Sequence, residues 1–581
     1  MHAPHIIIYI GRRLSRNARL AALFLCMAAG LQLTTLAQQT NYNMELTKQL
    51  EIFNAVCYEL HLNYVDSLDA KKRINEALDY MLEQIDPYTE YYAKEEVEDL
   101  NTMRTGKYAG IGSPIQYRKD LDCAIFSGPY HDMPAYRSGV RSGDRIISVD
   151  GHVVCGEKPT DTQSYLSDIT DRLRGEPGTT VTVELKRPRL ATPDNPDTLQ
   201  AITLSIVRDQ IYRPDVLLAK MLDESVGFIY LTGYTEHAAD NFKKAVQALK
   251  SQGMKSLIID LRDNGGGLLN EAVDLVGLFV KRGSEVVSIK GRHEETNYTY
   301  TTSAAPIDRS MPIVVLTNYG TASAAEITSG ALQDLDRAVI VGNRTYGKGL
   351  VQTSTETPSD GALKYTSAKY YIPSGRCVQA LDYVHRGEDG QPTHLADSLC
   401  KDFRTAAGRI VRDGGGITPD VTVPLDTLPS MITYLGYSPQ LFDWAALYHH
   451  AHPSIDSPEK FRLSPDEMED LKTYLVSHGF KYDDQSKQRV AYIREWAKLE
   501  GYEEEAAGIF DQLEKVLTRD INKDFARWND YIRETAENMI IANYYDESGC
   551  AEYNLRNDPV LEKALSILRS PERYSNILKG K

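Results

Sequence analysis

Apolar positions along the chain change their period three times, and each change marks a different kind of element. From Leu46 to about Met103 they recur at helical spacing, first as Leu50, Phe53, Val56 and Leu60, then as Ile74, Leu78, Met81 and Ile85. Asp86-Pro87 ends the second run, because proline disfavours helical backbone in the residue before it. A helical region over 42–103 is predicted. From Tyr108 the pattern turns to short alternating segments broken by glycine: the loop Tyr108-Ala109-Gly110-Ile111-Gly112, a short helix at Pro134–Val140, a strand between turns at Ser142–Gly151, and a strand Val181–Leu185. These form a strand-rich unit over 104–188.

From about Ala191 to Thr427 strands alternate with helices. Gly227–Leu231, Ser256–Leu261 and Pro312–Thr317 read as buried strands, with helices at Ala239–Gln252 and Asn270–Lys281 between them. This alternation predicts an α/β core with parallel strands over 189–428. Beyond Leu428 helical periodicity returns and continues to Lys581, which predicts a separate helical domain over 429–581 with no chemistry of its own. The fold class is therefore multidomain α/β, and 581 residues is more than a single hydrophobic core supports.

The first 37 residues stand apart. Arg12, Arg13, Arg16 and Arg19 precede an apolar run from Leu20 to Leu36 with small residues mixed in, ending Thr35-Leu36-Ala37 with a small residue for cleavage, the layout of a secretory signal peptide over 1–37. The alternative is an uncleaved anchor, for which the run is barely long enough. Cys26 follows Leu25 rather than a small residue and makes a poor lipid acceptor. Losing the leader would remove four arginines and no acid, taking the net charge from −16 to −20. So acidic a chain is a poor partner for nucleic acid, which needs basic patches. Export permits disulfides, and Cys123/Cys155 and Cys377/Cys400 are near enough in sequence to pair, with buried free thiols the alternative. No cysteine–histidine cluster suggests a metal, and no cofactor is implied.

Three segments carry candidate chemistry. Strand Pro312–Thr317 runs through a turn into a helix starting near Ser323, which would set the serine hydroxyl beside unpaired backbone N–H groups able to stabilise an oxyanion. Helix capping by Thr321 or Ser323 is the plainer reading of the same residues. Asp260–Leu269 ends a buried strand with Gly265, Gly266 and Gly267, where backbone can approach a substrate and aim N–H groups at a carbonyl. The third segment is Gly342–Gln352, in which Lys348 stands between two glycines and Gln352 follows at the spacing of one helical turn. A lysine titrates near about 10.4 in water and becomes a base only when burial disfavours its charged form. Its amine could then take the proton from a serine.

In combination these segments resemble the carboxyl-terminal processing (tail-specific) proteases of the S41 serine peptidase family. The resemblance runs from about Leu46 to Thr427, and the distal segments Leu363–Gly375 and Gly414–Asp420 fit it too. It implies a Ser-Lys protease with Ser323 as nucleophile, Lys348 as general base and Gln352 orienting the lysine. The oxyanion donors it implies are the Ala324 N–H and an N–H of Gly266 or Gly267. Gly265 stands where the family often has proline, and Thr321 and Ala325 where it often has serine.

Arg104–Pro188 resembles a PDZ domain, in which Tyr108, Ala109, Gly110, Ile111 and Gly112 would hold a peptide's terminal carboxylate while the tail adds as a strand. The glycine loop lacks the third glycine and opening helix of a phosphate cradle. Arg174 lies where the resemblance places a gating contact with the catalytic domain.

The resemblance implies an exported, periplasmic endopeptidase of a bacterial cell envelope. Its partners would be proteins or peptides with free C-terminal tails, and it is compatible with peripheral membrane association and with a homo-oligomer. The rival reading is a catalytically inactive PDZ scaffold. A Ser-His-Asp hydrolase would need a placed histidine. His293 and His385 lie in ordinary polar contexts, and no nucleophile-elbow glycines flank Ser323.

Overall fold

The computed structural model describes residues 43–156, 158–189, 198–396, 398–424, 427–482 and 485–581. The predicted leader lies outside them. The chain divides into a unit ending at Tyr91 and a larger one beginning at Tyr92.

The first unit contains helices 43–63 and Ala70–Glu83. Asp69 caps the second by accepting the Lys72 N–H at 3.1 Å. The stripe Leu50, Phe53, Val56 and Leu60 is helical as its spacing predicts, yet it remains exposed, so these helices build no core of their own. The third helix of the predicted region, Val97–Thr105, belongs to the second unit.

In that unit an antiparallel sheet runs in the order Ile115–Arg118, Cys123–Phe126, Arg145–Val149, Thr180–Pro188, Leu199–Val207. Alternation along Thr180–Pro188 points Val181, Val183 and Leu185 inward, onto Phe126, Ile146 and Ile169 of helix Thr162–Leu173. The sheet continues past Pro188, because Leu199–Val207 pairs with Thr180–Pro188 along its length. A disulfide joins Cys123 to Cys155, whereas Cys377 and Cys400 are free thiols.

The largest core surrounds a second sheet, ordered Val216–Met221, Val226–Leu231, Ser256–Asp260, Ile313–Thr317, Val339–Gly342, Val421–Thr422. Its first pair is antiparallel and the others parallel, as the βα alternation predicts. Helices Ala238–Ser251, Leu269–Gly277 and Ala324–Asp334 pack against one face. A parallel sheet has to be covered on both faces. The second cover comes from far along the chain: Val560, Leu561, Ala564 and Ile567 of helix Pro559–Leu568 pack on Phe228, Ile258, Val314, Leu316, Val339 and Val341. The predicted separate C-terminal domain is therefore separate only in part. Helices Ser430–Gly436, Pro439–Ala451, Pro465–Ser477 and Asn529–Asn554 share a core of their own around Leu441, Trp444, Leu471 and Ile540. Helix Pro559–Leu568 completes the α/β layer.

Candidate active site

Strand Ile313–Thr317 delivers the chain into a tight turn, and Ser323 stands at its end as the residue preceding helix Ala324–Asp334. Its backbone is held at φ 57° and ψ −119°, a conformation that costs an L-residue about 1–3 kcal/mol. Three bonds impose it from outside. The Thr321 hydroxyl donates to Leu261 O at 2.8 Å, the Ala322 N–H donates to Asn264 O at 2.9 Å, and the Tyr370 hydroxyl donates to Ser323 O at 3.2 Å. Thr321 is thus occupied in tying the serine turn to the end of the neighbouring strand. Ala324 opens the helix, so its N–H has no intrahelical acceptor.

The glycine segment lies directly against this turn. A Cβ on Gly266 would fall 2.7 Å from Ser323 Cβ and 2.8 Å from Ala324 N, at φ 97°, so only glycine fits. The Gly266 N–H is taken by Asn264 Oδ1 at 2.9 Å, while buried Asn264 spends its own amide on Leu231 O. Gly267 bridges to Tyr234 through its neighbours' groups: Tyr234 N–H donates to Gly266 O, and Leu268 N–H to Tyr234 O. The N–H of Gly267 takes no part in that bridge.

Lys348, half-buried, precedes strand Leu350–Glu356. A Cβ on Gly347 would come within 2.5 Å of Ala380 Cβ, which explains the glycine before the lysine. The residue that joins the lysine segment to the serine is Glu326, fully buried in the first turn of the helix. Its Oε1 accepts from Thr345 Oγ1 at 2.5 Å and from the Gly347 N–H at 2.8 Å. Its Oε2 accepts from the N–H groups of Ser323 at 2.9 Å and Lys348 at 2.8 Å. Burial pushes this carboxyl up from its ordinary value, and the four donors pull it back. Gln352 is not on a helix: it sits in the strand, just after a register shift, with its amide donating to Thr366 Oγ1 at 3.2 Å.

The candidate tail-binding residues divide. Tyr108, Ala109 and Gly110 are not in a loop, because Lys107–Gly110 pairs antiparallel with Asp209–Tyr212. Ile111 and Gly112 follow in a true loop, whose carbonyls accept from Ala135 and Tyr130 at 2.8 and 3.1 Å. Arg174 ends helix Thr162–Leu173 and pairs with Asp99 of helix Val97–Thr105 at 2.7 Å, its guanidinium 5.8 Å from the centre of the Tyr108 ring.

A model of peptidase family S41 matches residues 225–384, a PDZ model 125–187, and one described as "Probable PDZ-protease, C-terminal helical domain" 431–568. A carboxy-terminal-processing protease of Bartonella bacilliformis is 31% identical over 359 residues, covering 61% of this chain and 78% of the relative. The chain belongs to peptidase family S41. A probable CtpA-like serine protease of Staphylococcus haemolyticus is 32% identical over 370 residues, 64% of this S41 chain and 70% of the relative. A similar protein of Staphylococcus epidermidis is 30% identical, covering 59% and 65%. A photosystem II D1 C-terminal processing protease is 26% identical, with a TM-score of 0.33, covering 64% of this chain and 87% of that one.

The S41 peptidase is thus a serine peptidase of the C-terminal processing family that carries a PDZ domain, acting on proteins or peptides. Sequence reasoning passed over Glu326, although Ser323-Ala324-Ala325-Glu326 has the spacing of a helix capping box. That spacing announces a glutamate folded back on the serine's own N–H, which is where Glu326 is found.

Proposed function

We propose that the chain is an exported endopeptidase that grips the C-terminal tail of a protein substrate and cleaves it with a Ser323–Lys348 dyad. The observation that carries this reading is the carboxylate of Glu326, which draws the backbones of both residues onto one oxygen. Lys348 in its neutral form takes the Ser323 proton as Oγ attacks the scissile carbonyl, and returns it to the leaving amine. Gln352 orients the amine through its own amide. The oxyanion is met by the N–H groups of Ala324 and Gly267, since that of Gly266 is committed to Asn264. The serine turn and the glycine segment against it are held by bonds and contacts within the protein, which supports preorganised stabilisation.

The PDZ domain holds the tail's carboxylate at the loop containing Ile111 and Gly112, and Arg174 gates the site through helix Val97–Thr105. Asp99 near one end of that helix pairs with Arg174, and Arg104 near the other pairs with Glu236. Glu236 is two residues from Tyr234, whose backbone bridges Gly267. A movement of the PDZ domain thereby has a contiguous path, through two ion pairs and one helix, to the oxyanion donors. The basic, then apolar, leader supports export to the bacterial envelope.

One assay tests the reading. Hydrolysis of an unfolded protein with a free C-terminus is measured for the wild type and Ser323→Ala, and repeated with the terminus amidated. Activity surviving in Ser323→Ala removes the nucleophile assignment, and equal rates on acid and amide remove tail reading.

A further inference from the structure

Among the described residues strand Ile115–Arg118 lies at the edge of the PDZ sheet, paired on one side only, with Cys123–Phe126. The loop at its start holds Ile111, Gly112 and Ser113. If a tail's carboxylate sits at that loop, the tail must run antiparallel to the strand, with its upstream residues heading past Arg118. Side chains of such an added strand alternate between the two faces of the sheet. One set enters the groove beside helix Thr162–Leu173, where the ring of Tyr117 meets that of Tyr165 at 5.6 Å. The other set emerges on the side of Gln116 and Arg118.

That second side faces the C-terminal helical domain. A cavity of about 610 Å³ separates the two, lined on one wall by the stretch from Gln116 to Asp120, Tyr117 included, and on the other by Tyr437, Pro439, Phe442 and Met539. The walls are held in register. Arg118, itself buried, forks onto both oxygens of Asp443 at 2.7 and 2.9 Å, and a Cβ on Gly143 would touch Ala446 at 3.4 Å. The guanidinium of Arg118 is neutralised by Asp443 and Asp120, and Lys119 lies in the exposed part of the same strand end, so the wall opposite, with its rings and thioether, is the apolar one. Tyr437 is 88% exposed at its rim, whereas Trp444 of the same domain is 4% exposed. An aromatic ring so placed contributes little to the domain's own core and is ready to cover an apolar side chain.

Resting on the tail-binding reading above, we infer that the C-terminal helical domain forms the second wall of the substrate groove and selects large apolar side chains at alternate positions upstream of the terminus. The ligand is an extended polypeptide segment continuous with the tail on the PDZ edge strand. The PDZ domain reads the end of the chain, and the helical domain reads the residues before it.

The test uses the full-length Ser323→Ala protein and fluorescein-labelled decapeptides that share their last three residues. One peptide carries leucine and phenylalanine at the alternate upstream positions in phase with Gln116 and Arg118. A second shifts them by one residue, and a third has glycine at the same places. The in-phase peptide is expected to bind on the order of tenfold tighter than either control by fluorescence anisotropy, the effect of burying part of one large side chain. Tyr437→Ala, at an exposed position, is expected to remove that difference. Equal affinity for the in-phase and glycine peptides, or a preference unchanged in Tyr437→Ala, would overturn the inference. An amidated in-phase peptide separates the two readings: if it binds as tightly as the acid while the Tyr437 effect persists, chain-end recognition fails and the groove stands.

Discussion

Ser323 and Lys348, twenty-five residues apart in sequence, donate their backbone N–H groups to the same oxygen, Oε2 of Glu326. A carboxylate with no access to water keeps four donors in place more rigidly than any surface pair could, because each donor that left it would stay unsatisfied. The distance in space between the two backbones is therefore set by one buried side chain, and small errors in such a distance are costly in catalysis.

Glu326→Gln is expected to loosen that arrangement without emptying the space. In its better orientation the new amide sets an NH₂ against the Gly347 N–H, leaving that donor unsatisfied, which costs about 1–3 kcal/mol of stability. Steady-state kinetics should show kcat reduced on the order of a hundredfold with KM little changed, since the substrate-binding surfaces are elsewhere. An unchanged kcat would mean that the shared oxygen has no part in positioning.

Lys348→Ala is expected to lower kcat by on the order of a thousandfold or more while anisotropy shows tail peptides still bound. Lys348→Arg should be no better, because a guanidinium does not give up its proton. Robust turnover in either variant would end the Ser-Lys assignment.

Gly266→Ala places a methyl 2.7 Å from Ser323 Cβ at a φ of 97°. Since neighbouring backbone rather than a flexible side chain receives it, a loss of about 1–3 kcal/mol is expected, read as a lower Tm. Reaction of Ser323 with a fluorophosphonate probe should slow in the same variant, whereas Gly265→Ala, with open space around its Cβ position, should leave both unchanged.

Acid should weaken the seam between the PDZ and C-terminal helical domains through His449. Burial, then the charges of His450, Arg141, His131 and Arg187, push this imidazole down to about 4. The folded protein holds it neutral, while the unfolded chain accepts a proton near about 6.5. Its contribution to stability is therefore intact above pH 6.5 and lost progressively as pH falls towards 4. Melting temperatures recorded across that range should fall, and His449→Phe should flatten the decline. A slope identical in the two proteins would assign it to other groups.

Three of the parallel strands, at 227–231, 256–261 and 312–317, were legible because each is a continuous apolar run beside helix-period segments, whereas Val339–Gly342 and the two-residue Val421–Thr422 were not, and the serine turn was legible because a strand feeds directly into a helix. What the sequence could not display were contacts between distant segments. Leu199–Val207 alternates like many surface stretches, and its place in the PDZ sheet depends on nine register partners supplied by Thr180–Pro188. Gln352 lies at helical spacing from Lys348, but the glycines around the lysine and the pairing with Thr366 place it in a strand. Tyr108 sits next to a real loop and differs from it only because Ile211 lies opposite.

Helix Pro559–Leu568 gives the chain an order of assembly. The strands that carry the serine and glycine segments leave Phe228, Ile258, Val314 and Val341 without cover until that helix, far later in the chain, packs on them. Arg262 reinforces the dependence by pairing with both Asp260 at the strand end and Asp558 at the start of the helix. A chain that already contains Ser323 and Lys348 thus still has a bare sheet face, and the turns holding both residues rest on a complete α/β layer only once residues 559–568 have docked.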